Sequence, residues 1–159
     1  MSDPAPEALR KALDAAYRLL ARRAHSVAEI ETKLADRKFP TTLIHQTIDR
    51  LTSEGYLDDG AFARSFARHL MESRPMGRRR MTWELRRKGV GRGLVEEAVE
   101  EVWADRSELE VAKDVARQRL KAYRGLDAHT IRRRLKSYLE RRGFPYGDIA
   151  EVVRELTSS

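Results

Sequence analysis

The sequence predicts an all-α protein built from three tandem three-helix repeats in an elongated array. Three observations carry that expectation. Six apolar positions, Ile30, Leu34, Phe39, Ile44, Ile48 and Leu51, recur in register as Met81, Leu85, Val90, Val95, Val99 and Val102. They recur again as Leu135, Leu139, Phe144, Ile149, Val153 and Leu156, at offsets of 51 and then 54 residues. A fixed period of this size is the mark of a repeat architecture. Apolar spacing is helical almost throughout, as in Ile131, Leu135, Tyr138 and Leu139, and no convincing alternating run marks a strand. Finally, 36% of the residues are charged, well above the roughly one quarter of an ordinary domain, which suits an extended array with much surface better than a sphere.

The elements follow in order. Residues 1–7 read as a short disordered tail, and a leading helix then runs from about Glu7 to Ala24. Ser26-Val-Ala-Glu29 fits a capping box at the start of the second helix. That helix ends at Arg37-Lys38-Phe39-Pro40, since Pro40 cannot continue it. The stripe Ile44/Ile48/Leu51 makes the third helix, closing a first repeat over 8–57. Asp58 and Asp59 suit a helix N-terminus and open the second repeat, 58–106, with a helix from about Gly60 to Ser73. Arg74-Pro-Met-Gly77 is a turn. The Met81/Leu85 helix stops at Lys88-Gly89-Val90-Gly91, where Gly89 fits a left-handed cap, and the Val95/Val99/Val102 helix follows. Ser107-Glu-Leu-Glu110 is a second capping-box sequence and opens the third repeat, 107–159. Its leading helix runs from about Glu108 to Tyr123. The Leu135/Leu139 helix ends at Arg142-Gly143-Phe144-Pro145, and Ile149/Val153/Leu156 forms the last helix. The apolar residue after each break (Phe39, Val90, Phe144) folds back onto the helix it has left. Each unit is small, so neighbours are expected to lean on one another.

Composition narrows the function. Lys and Arg number 32 against 25 Asp and Glu, a net charge of +7, which favours an acidic partner, nucleic acid first. With no cysteine there is no thiol nucleophile, disulfide or cysteine-held metal, and a reducing cytoplasm suits the chain. No apolar run approaches the roughly 18 residues that span a membrane, and the N-terminus lacks the character of a signal peptide. The four histidines, His25, His45, His69 and His129, are scattered without metal-ligand spacing, and His25 reads as part of a turn. Asp58-Asp59 reads as a cap rather than a metal pair. No phosphate loop follows a strand. The expectation is a non-enzyme without catalytic residue, metal or cofactor.

The basic residues carry the site. Between Arg74 and Arg92 stand eight basic residues and one acid, Glu84. At about 100° per residue, Met81 and Leu85 take the inner face and Trp83 points nearly opposite. Its helical neighbours are Arg79, Arg80, Arg86 and Arg87, with Arg78 and Lys88 just beyond. The equivalent positions in the other repeats are Thr32 and Ser137, both polar, which marks a solvent-facing place. A Trp among arginines can stack on a base while the guanidinium groups hold phosphates. It can also anchor on an acidic protein surface, or pack under a neighbouring repeat. A second basic run, Arg132, Arg133, Arg134, Arg141 and Arg142, lies in the corresponding helix of the third repeat. It reads either as a solvated face or as phosphate contacts, and in a regular array the two runs can share one side. Trp103 is expected at the junction with the third repeat.

Several stretches together resemble the RecX family, small bacterial regulators of the RecA recombinase. They are Arg23-Ala-His-Ser26 with Glu29-Ile30 and Lys33-Leu34, then Gly55-Tyr-Leu-Asp-Asp59 with Phe62. Gly77 with Met81, Glu84-Leu85 and Lys88-Gly89-Val90 follow. Tyr138-Leu-Glu-Arg-Arg-Gly-Phe144 with Asp148-Ile149 closes the series. The likeness spans about Ala8 to Leu156. It departs at Lys38, where the other breaks have glycine, and at Met81, where a branched aliphatic is usual. It implies a curved, elongated, monomeric molecule that lies in the groove of the RecA–single-stranded DNA filament and restrains its growth, ATP hydrolysis and strand exchange. The competing reading from the residues is a helix-turn-helix protein on duplex DNA.

Overall fold

A computed structural model describes residues 6–158 of the chain. Among these residues there are nine α-helices and no strand. The first unit holds α1 (Pro6–Arg22), α2 (Val27–Asp36) and α3 (Thr41–Ser53). The second holds α4 (Asp59–Ser73), α5 (Arg78–Arg87) and α6 (Arg92–Trp103). The third holds α7 (Glu108–Leu120), α8 (Ala128–Arg141) and α9 (Tyr146–Thr157). The tail expected over 1–7 is corrected at its end, since Pro6 and Glu7 already belong to α1, where proline fits a first turn; residues 1–5 lie outside the described part. The leading helix of the third unit stops at Leu120, and Lys121–Tyr123 tighten into a 3-10 turn.

The starts are made by the residues that can make them. Ser26 Oγ accepts from the Glu29 amide at 3.1 Å and Glu29 Oε1 accepts from the Ser26 amide at 3.1 Å, a complete capping box. Ser107 forms only half of one: its Oγ accepts from the Glu110 amide at 3.3 Å, while the Glu110 carboxylate lies toward Lys113. Asp58 caps α4 by accepting from the Ala61 amide at 3.0 Å. Asp59 reaches across and accepts from the Val27 amide of α2 at 2.9 Å. The middle helices end alike. Lys38, Gly89 and Gly143 sit at φ 70°, 78° and 81°, so a lysine takes the left-handed place that glycine fills in the other units.

The six repeated positions are core, with Phe39, Val102, Val153 and Leu156 partly buried at its edges. A seventh repeated position joins them. Thr47, Ala98 and Val152 keep the 51 and 54 offsets, and each is fully buried. Each unit has its own core: Leu19, Ile30, Leu34 and Leu51 in the first, Met76, Met81, Leu85 and Trp103 in the second, Leu135, Leu139, Phe144 and Ile149 in the third. The helices pack chiefly within their own units, and each unit leans on the next through narrower contacts. The molecule is elongated, exposing 9961 Å², where a compact monomer of its mass would expose about 8,100 Å².

Two narrow polar seams join the units, both at ends of α5. At its C-terminal end the Lys88 carbonyl accepts from Ser26 Oγ. Gly89 lies so close to α2 that an added Cβ would stand 2.2 Å from the Ala28 Cβ. At its N-terminal end the Gly77 amide donates to the Arg142 carbonyl at 2.8 Å. A Cβ on Gly77 would stand 2.2 Å from the Gly143 carbonyl oxygen. The middle helices therefore form one spine, α8 to α5 to α2. At each join a carbonyl left free at one helix end accepts from a donor at the start of the next, so groups that a helix leaves unpaired satisfy each other.

Candidate functional site

The seam between α8 and α5 joins one end of each basic run: Arg80 of the first turn of α5 lies against Gly143, beside Arg141 and Arg142 at the end of α8, while Arg132, Arg133 and Arg134 stand near the opposite end of that helix. Trp83 faces outward from α5 and is 46% exposed, so the reading in which it packs under a neighbouring repeat is set aside. Two of its four arginine neighbours cover the ring. The Arg80 guanidinium carbon lies 4.3 Å from its centroid and that of Arg87 4.7 Å, within cation–π range. Glu84 holds this bracket. Its largely buried carboxylate meets Arg80 at 3.0 Å through one oxygen and Arg87 at 3.9 Å through the other. Sequence reasoning noted Glu84 only as the lone acid of the run, although its spacing to Arg80 (i−4) and Arg87 (i+3) was there to be used.

The other expected site residues divide in two. Arg79, Arg86, Arg132, Arg133, Arg134 and Arg141 are exposed and enter no ion pair among the described residues. Arg78, Lys88 and Arg142 are engaged at the seams. Arg78 pairs with Glu100 at 2.9 Å and with Glu108 of α7 at 3.3 Å, and lies 5.6 Å above the Trp103 ring. Trp103 is thereby fixed in the core of the second unit, beside the third. Lys88 pairs with Glu29 at 3.3 Å and lies 5.3 Å from the Phe66 ring. Arg142 donates to the Pro75 carbonyl, and burial pushes its guanidinium below the usual value.

Glu29 is the hub of the other seam. Burial alone would raise its pKa, yet the Arg23 hydrogen bonds, the Ser26 amide and nearby Lys88 prevail and hold it at about 2. His25 is buried in the adjoining turn with Nδ1 3.0 Å from the Arg23 carbonyl, and its burial lowers its pKa. Among the described residues no cluster of three or more His, Asp or Glu is gathered as a metal ion would need. No helix among them is long and apolar enough to cross a membrane.

A row of small helical units joined end to end defines a protein of the helical-repeat class. The chain belongs to the RecX family of regulatory proteins. The family's first, second and third three-helix domains match residues 12–51, 58–99 and 106–153. The regulatory protein RecX of Halorhodospira halophila is 39% identical over 140 residues, covering 88% of this chain and 83% of that protein. Its counterpart from Chlorobium phaeobacteroides is 34% identical over 150 residues, covering 94% and 96%. The crystal structure of RecX from Lactobacillus salivarius shares the fold with a TM-score of 0.75 at 22% identity, covering 94% of this chain and 97% of that one. Regulation, rather than catalysis, is the role these relatives' names give them.

Proposed function

We propose that the chain regulates RecA by lying in the groove of the RecA–single-stranded DNA filament and limiting its extension, ATP hydrolysis and strand exchange. The observation that carries this reading is the outward Trp83, bracketed by Arg80 and Arg87 on a helix whose end adjoins the basic end of α8. A nucleoprotein filament offers what such a surface needs: phosphates for Arg79, Arg86, Arg132, Arg133, Arg134 and Arg141, and an anchoring place for the ring. The chain acts as a monomer in the cytoplasm on this reading, with no cofactor.

The test is a titration of DNA-dependent ATP hydrolysis by RecA. The full chain is expected to inhibit at substoichiometric amounts. Replacing Trp83, Arg79 and Arg87 together by alanine should raise the required concentration about 30-fold or more, as loss of an anchor worth about 2 kcal/mol would, with helical circular dichroism unchanged. Absence of inhibition across the series overturns the proposal. Tight, sequence-dependent binding to duplex in its place would favour the helix-turn-helix reading.

A further inference from the structure

A second arginine-rich place lies away from Trp83. A cleft of about 650 Å³ opens between the end of α4, the face of α7 and the end of α8. Arg74, Arg106, Arg119 and Arg142 line it, and none of the four enters an ion pair among the described residues. The one carboxylate on its wall, Asp114, is paired with Arg117 at 2.9 Å. Arg142 donates to the Pro75 carbonyl through one terminal nitrogen, while its Nε is buried without a hydrogen-bond partner among the described residues. A buried donor left unpaired is costly, and the nearby Arg74 and Arg80 add like-charge repulsion to its burial. Both costs fall when an anion enters. Met71, Pro75, Val111 and Val115 give the cleft an apolar stretch of wall, with Ser73 and Gln118 as its uncharged polar groups. Arg119 lies 4.5 Å over the Tyr138 ring and donates to the Tyr123 hydroxyl at 3.2 Å.

We propose that this cleft is a nucleotide-binding site. Its cationic end takes the phosphate through Arg74 and Arg142, and its apolar wall takes the base. The volume suits such a ligand: clefts that hold small organic molecules run from about 300 to 1,000 Å³, and a lone phosphate would leave the apolar side unused. The nucleotide can be free or can be one residue of a single strand. The site does not depend on the filament reading, and the ATPase titration can fail while it stands.

Amide chemical shifts of the isotope-labelled full chain provide the test, with ATP, a short oligothymidylate and inorganic phosphate as probes. ATP or the oligothymidylate is expected to shift the amides of Arg74, Val115, Arg119 and Arg142 saturably. Arg74→Gln, at an exposed residue outside any ion pair, should weaken binding about tenfold, as loss of one charge-assisted contact would. Arg10→Gln on the distant α1 should not. Shifts with ATP alone identify a free nucleotide as the ligand, and shifts with the oligothymidylate identify a strand. Equal affinity for inorganic phosphate, shifts elsewhere or none at all, or an Arg74→Gln variant that binds normally would each overturn the proposal.

Discussion

Glu84 is the residue on which the Trp83 bracket turns. Arg80 and Arg87 carry like charge on either side of one ring, and the Glu84 carboxylate between them offsets their repulsion. Glu84→Gln keeps the shape and removes the charge. The variant should leave helical circular dichroism unchanged, make Trp83 more readily quenched by acrylamide, and weaken RecA inhibition about fivefold, the loss of roughly 1 kcal/mol of cation–π and ion-pair order. Trp103 is buried and contributes little to the quenching. Unchanged quenching would show that the bracket stands without Glu84. The outward course of Trp83 was legible in the sequence, because Thr32 and Ser137 hold the same place. The engagement of Arg78, Lys88 and Arg142 was not. Lys88 meets Glu29 from 59 residues away, and Arg142 meets the Pro75 carbonyl from 67, whereas helical spacing reveals only neighbours on one helix.

At the scale of the element, the break after each middle helix is the informative place. Gly89 and Gly143 adopt a left-handed backbone at small cost, while Lys38 adopts the same backbone at a cost of about 1–2 kcal/mol. Lys38 is exposed and forms no side-chain bond among the described residues. Lys38→Gly should therefore stabilise the protein by about 1 kcal/mol, after glycine's greater freedom in the unfolded chain is counted. Urea unfolding measures this, and a lower midpoint would refute it. Helix ends were legible because glycine and proline act locally. The seventh core position was not, since Thr47, Ala98 and Val152 share no polarity. The hydroxyl of Thr47 donates to the Leu43 carbonyl at 2.8 Å, which lets a polar side chain stand in the core.

For the whole molecule, each unit has its own core, with Val111 packed against those of both the second and the third, and polar contacts hold the junctions. The seam between the first two units gathers around Glu29, whose folded pKa of about 2 lies below the usual 4.5. A carboxylate depressed in this way contributes stability that is full above about 4.5 and lost as pH falls toward 2. Acid should loosen this seam in that window, read as faster hydrogen exchange at the Val27 and Glu29 amides. Glu29→Gln should start from a weaker seam and show little further pH dependence from this source; a slope equal to that of the original chain would exclude Glu29 as its cause. The number of units was legible from the period. The manner of joining was not, because the seams rest on backbone groups, absent Cβ atoms and polar side chains distant in sequence, which leave little trace in hydrophobic spacing.

The spine also has a direction and two unlike ends. Each join is head to tail, so the two surfaces that meet in it are unlike. Gly89 and Gly143 lack the Cβ that would collide with the helix seated on them. At the outer end of α2 the corresponding residue is Lys38, with a charged side chain where the next helix would have to sit. The free end of the row therefore carries an exposed charge where the two joined ends carry no side chain at all.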